Sequence, residues 1–230
     1  MRTAVAVVVA FVVSVLGLAR AGAEPGFRRV PLDARGKASP LTLRALTYQG
    51  STNGVLAVEV HNPGKRAARF SAEGLYFIPG GDPDEAPQRL GAVGPMRMAS
   101  GEGKAVDLGS LEVAPGATVR LELDVFCIDS HRPSPSPENT FTVARTRMPK
   151  TLSATIESRG KRAADDVGGY RAAPAKAAVQ SEVWRARDAK WIKLDGEGAQ
   201  EQEKARPRPE RHLEQTHELR IRRPMPQGRK

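Results

Sequence analysis

Between Thr118 and Asp129 the chain reads TVRLELDVFCID, with Val119, Leu121, Leu123, Val125 and Cys127 on one parity and Arg120, Glu122 and Asp124 on the other. A period of two over this length is that of a β-strand with one buried face, which fixes the stretch as a structural centre around which other strands must pair. It also aims Cys127, the only cysteine, at the apolar side.

Strand signals recur before it, separated by turn residues. Leu41 to Tyr48 and Val55 to His61 flank a turn at Gly50 to Asn53, and Leu56, Val58 and Val60 alternate against Ala57, Glu59 and His61. Asn62-Pro63-Gly64-Lys65 is a strong turn, because proline presets φ and glycine tolerates what other residues do not. Ala67 to Ser71 and Leu75 to Ile78 follow, then a Gly, Asp and Pro loop from Pro79 to Pro87, then weaker runs at Arg89 to Val93 and Ala105 to Val113. Short strands with Pro-Gly turns predict a mainly β fold, an immunoglobulin-like antiparallel β-sandwich over residues 40–129. It lacks the disulfide of antibody domains.

After Asp129 the pattern changes. Ser130 to Asn139 (SHRPSPSPEN) cannot continue a strand, since each proline lacks a donor and restricts its predecessor. Thr140 to Ala144 reads as one more short strand, Pro149 to Ser158 as a helix with Leu152 and Ile156 four apart, and Pro174 to Ala189 as a second helix. Residues 130–190 are thus expected to form a Pro-rich loop and a small helical segment packing on the sandwich. On the wheel of the second helix Gln180 falls between Val183 and Trp184, inside the apolar stripe, where a carboxamide must find partners.

The ends bound the compartment. Arg2, an apolar run from Ala4 to Val13 and the small residues Ala21-Gly22-Ala23 describe a signal peptide over residues 1–23, so a secreted, periplasmic or cell-envelope location is expected. No later segment has the length and apolarity of a transmembrane span. A lone cysteine in an exported chain makes no internal disulfide, which leaves a buried inert thiol, an intermolecular disulfide or a reactive group. Of the net charge of +10, two units are Arg2 and Arg20 near the N-terminus and the rest lies from Ile128 on, the strand-rich part from Glu24 to Cys127 being neutral. Residues 191–230 read as a disordered basic tail, either a solvated linker with interleaved glutamates or a contact for an anionic partner. Export argues against nucleic acid as that partner.

Two short blocks carry a resemblance. Phe126-Cys127-Ile128 within VFCID and Val179-Gln180-Ser181-Glu182-Val183-Trp184 within AVQSEVW are similar to the signature blocks of bacterial surface thioester domains. The resemblance implies that Cys127 is the thiol and Gln180 the acyl donor of an internal thioester, with Phe126, Val183 and Trp184 forming the supporting pocket. It implies an adhesin that attaches covalently, once, to a protein or envelope polymer on a surface. The spacing of Cys127 and Gln180 is shorter than that family's, and the strand-rich region before Cys127 is not part of its pattern.

Other chemistries have thinner support. Cys127 and His131 are of the types of a nucleophile and base, but a Pro-rich loop between them does not set their geometry and no orienting third residue is evident. His61, His131, His212 and His217 are scattered, so neither a metal site nor a cofactor is expected. The expectation is a non-enzymatic exported binding or adhesion protein. The alternative is a structural or protein-interaction β-sandwich module whose cysteine is buried and inert.

Overall fold

A computed structural model describes residues 26–32, 38–98, 107–170, 172, 174–189 and 191–201. The signal-peptide reading of residues 1–23 and most of the tail, from residue 202 on, lie outside the described residues. The strands are β1 (Arg28–Arg29), β2 (Thr42–Gly50), β3 (Asn53–His61), β4 (Ala68–Phe70), β5 (Tyr76–Pro79), β6 (Leu90–Met98), β7 (Asp107–Leu108), β8 (Leu111–Val113), β9 (Thr118–Cys127) and β10 (Phe141–Val143). Two helices follow, α1 (Lys150–Asp166) and α2 (Ala175–Asp188).

The fold is mainly β and antiparallel. One large sheet has the order β1-β2-β3-β9-β6-β5-β10, with β7 also paired to β6, and β4 and β8 form a small second sheet. The large sheet curls until β10 comes beside β2, where the rings of Tyr48 and Phe141 meet edge to face at 5.5 Å. Its shape is nearly that of a barrel. β9 lies at the centre, with Val58 of β3 opposite Leu121 and Leu90 of β6 opposite Cys127.

The alternation in β9 sorts its side chains between two cores. Leu121, Leu123, Val125 and Cys127 belong to the first, enclosed by the curled sheet with Leu43, Val58, Phe77 and Leu90. Phe126 and Ile128 belong to the second, between the sheet and the helices, with Leu152 and Ile156 of α1 and Val179 and Val183 of α2. Thus β9 is half-buried only in its first part. From Asp124 to Asp129 every residue is buried, because the helical layer covers the second face there.

Three expectations need correcting. The sheet is not confined to residues 40–129: β10 pairs with β5, Phe141 opposite Pro79, because the Pro-rich loop only carries the chain across to that edge. The run Ala105 to Val113 is not one strand but supplies β7 and β8, which pair in different sheets. Residues 191–201 do not belong with a disordered tail. They run back over the molecule, with Leu194 buried in the second core and Glu201 buried against arginines, so this segment forms a strap. No helix among the described residues is long and apolar enough to cross a membrane.

Candidate functional site

Cys127 closes β9, and β3 starts at Asn53 opposite Phe126, so the neighbouring strand runs out just where the cysteine sits. The Cys127 N–H donates to Thr52 O at 2.9 Å and to Gln180 Oε1 at 3.1 Å, and its carbonyl accepts from Gln180 Nε2 at 2.7 Å. The Gln180 carboxamide therefore acts as one more peptide group at the end of the ladder. This answers the need of a polar group inside the apolar stripe of α2, since Gln180 is only 3% exposed.

The structure thus brings Cys127 and Gln180 together across 53 residues, through the main chain of one and the side chain of the other. The thiol itself points elsewhere: Sγ donates to Ser51 O at 3.5 Å, an oxygen that also accepts from the Tyr48 hydroxyl at 2.7 Å. Burial, with a smaller contribution from the negative charge of Asp129, pushes the Cys127 thiol up to about 12, so it is protonated at neutral pH. Phe126 and Val183 are buried in the second core, whereas Trp184 packs against the first and its indole N–H donates to Gln88 Oε1 at 3.1 Å. His131 does not face Cys127 as a base would. It bonds Glu201 Oε1 at 3.2 Å and lies beside the Trp191 ring.

Two residues beyond the cysteine stands a feature that the sequence pattern does not announce. Asp129 is wholly buried and accepts from the Arg89 main-chain N–H (3.1 Å), Nε (2.7 Å) and Nη2 (2.6 Å). Arg89 Nη2 also reaches Glu201 Oε1 at 2.7 Å, and Arg132 Nη2 reaches Glu201 Oε2 at 2.5 Å. Arg187 of α2 is 1% exposed, stacks on the Trp191 ring at 4.5 Å, and has Asp129 at 3.8 Å and Glu197 at 3.5 Å. None of its side-chain nitrogens has a hydrogen-bond partner among the described residues. The contributing residues come from the end of the loop before β6, the loop after β9, α2 and the strap, so no local spacing could have marked them. The one legible hint was an acid, Asp129, directly after the buried Ile128.

The pH response of this cluster follows from Glu201. Burial works to raise its pKa, but His131, Arg132 and Arg89 outweigh that and hold it at about 2, below its ordinary 4.5. A depressed carboxylate stabilises the fold fully above its unfolded pKa and ceases to do so as pH falls through the folded one. We therefore expect the strap to loosen between about pH 4.5 and about pH 2. Trp191 fluorescence against pH checks this, and Glu201→Gln should abolish the transition.

Among the described residues no group of three His, Cys, Asp or Glu is placed to hold a metal ion. No protein-family model matches the chain. A search of curated proteins and one of solved structures gave no significant match either.

Proposed function

We propose that the chain is an exported, non-enzymatic binding module of the cell envelope, immunoglobulin-like in kind, whose Cys127 and Gln180 form a structural clasp between sheet and helices. The observation that carries this reading is the doubly bonded carboxamide of Gln180 on the Cys127 main chain, beneath a thiol that burial keeps protonated. Both polar atoms of the carboxamide are used in holding α2 on the end of β9. A binding protein of this kind would present its strand connections and helix faces to a protein or envelope polymer, and needs no turnover chemistry.

One observation favours a second reading. The carboxamide lies against the very residue whose thiol the thioester resemblance requires. In that reading the Cys127 sulfur attacks the Gln180 side-chain carbon, the C–N bond breaks, and the thiol proton leaves with the amide nitrogen as ammonia. The product would be an acyl group for an amine or hydroxyl on a target, held away from water.

Intact mass of the purified protein distinguishes them. The clasp predicts the full mass, no methylamine adduct, and no alkylation of Cys127 by iodoacetamide until the chain is unfolded. A mass lower by one ammonia, restored in both Cys127→Ala and Gln180→Ala and converted to an adduct by methylamine, would replace the clasp with the thioester.

A further inference from the structure

Away from the clasp and the buried charges, a cleft of about 580 Å³ opens between α1 and β6. Its origin is a register break. Between Ala92 and Met96 β6 departs from its pairing with β9, and this bulge sets Val93, Pro95 and Met96 along one wall, with Leu108 of β7 beside them. The opposite wall is polar and negative. It carries Glu73 and, from α1, Glu157 and Asp165.

The charges on that wall are unevenly matched. Lys161, the one cation lining the cleft among the described residues, is bound to Asp165 at 2.5 Å. Glu157 and Glu73 have no cation in ion-pair range among the described residues, and face each other closely enough that Glu73 adds to burial in raising the Glu157 carboxyl. Burial, with smaller contributions from the charges of Glu157, Asp165 and Asp124, pushes the Tyr170 hydroxyl at the cleft up to about 12. An apolar wall facing uncompensated carboxylates suits a segment that alternates apolar and cationic side chains.

The chain carries such a segment. Leu219-Arg220-Ile221-Arg222-Arg223 alternates apolar and basic residues and is followed by Pro224-Met225-Pro226. The described residues reach Glu201, bonded to Arg89 just before β6, and the cleft lies along that strand toward Met96. That is a distance of roughly 23 Å at about 3.3 Å per strand residue. The nineteen residues from Glu201 to Arg220 span at most roughly 63 to 68 Å when extended, ample to cover it. Tethering supplies an effective concentration that a free peptide would have to reach by mass action.

We propose that the cleft between α1 and β6 is the docking site of the chain's own basic segment around Arg220 to Arg223. An external ligand of the module must compete with it. Arginines on the segment neutralise Glu73 and Glu157 while Leu219 and Ile221 lie on the part of the apolar wall formed by Pro95 and Leu108. The site is separate from Cys127 and Gln180 and does not depend on the reading given to them.

The test uses the full mature chain with Gln227→Cys carrying a nitroxide. Cys127 is buried and stays unlabelled, which the mass of a single label verifies. Amide signals of Val93, Glu157, Lys161 and Tyr170 should be broadened at low salt and recover at high salt, where exposed charges are screened. The broadening should be lost in Glu73→Gln with Glu157→Gln, and equally in Arg220→Gln with Arg222→Gln and Arg223→Gln, which change none of the residues lining the cleft. Unbroadened cleft signals, or broadening that survives both charge-neutral variants, would overturn the proposal. So would broadening that also appears when spin-labelled chains are mixed with separately isotope-labelled ones, which would assign the cleft to a second copy.

Discussion

Asp129→Asn should lower the unfolding free energy by about 3–5 kcal/mol, the range for removing one partner of a buried ion pair. Asparagine keeps the volume and one acceptor but removes the charge that faces both Arg89 and Arg187. Arg89 would retain Glu201, at 2.7 Å, while Arg187, whose guanidinium has no hydrogen-bond partner among the described residues, would keep Glu197 at 3.5 Å and the Trp191 ring. A urea titration reads this as a lower midpoint at unchanged slope. A loss below about 1 kcal/mol would mean that water reaches the guanidinium groups and screens them as it does surface pairs.

The second large effect concerns the strap. A chain ended after Ala189 loses Leu194 from the second core and the carboxylates of Glu197 and Glu201 from beside Arg89, Arg132 and Arg187. Burying a leucine is worth about 2 kcal/mol on its own. With the uncompensated arginines added, the expected cost is on the order of 3–5 kcal/mol. A chain ended after Glu201 keeps every one of these contacts and should lie within about 1 kcal/mol of the full protein. Melting the two truncations side by side checks the difference, and equal stabilities would remove the strap from the folded unit.

How far the molecule was legible in its sequence can be judged strand by strand. The alternation of Val119 to Cys127 located β9 to within two residues, and the turn at Asn62 to Lys65 bounded β3, because period-two patterns and Pro-Gly turns act locally. β6 was read short, ending at Val93 instead of Met98, because Gly94 and Pro95 look like a stop. The structure absorbs both in the bulge. α1 continues past Ser158 to Asp166 through a polar, solvent-facing stretch whose apolar period is interrupted, although Gly160 and Ala164 are buried against the rest of the fold.

For the candidate site the wheel of α2 placed Gln180 correctly in a buried stripe, and the parity of β9 placed Cys127 in a core. What neither pattern contained is which part of the cysteine the carboxamide meets. That depends on β3 starting at Asn53 opposite Phe126, a fact about register between residues 126 − 53 = 73 positions apart rather than about either motif. The buried charges were illegible for a related reason: Arg89, Asp129, Arg187 and Glu201 have meaning only after the sheet, the second helix and the strap are assembled.

The central position of β9 has a consequence for the order of events during synthesis. β3 has to wait for a partner that follows it by about sixty residues, so the middle of the sheet is a late, non-local pairing and a slow one. Gln180 is made later still and the strap last, so a chain emerging from its N-terminal end passes through an interval in which Cys127 is synthesised but its cover is not. In that interval the sulfur is ordinary, accessible and as acidic as any free thiol. Whatever reaches the Cys127 sulfur therefore has its opening before the second helix is made and packed, and the arrival of Gln180 closes it.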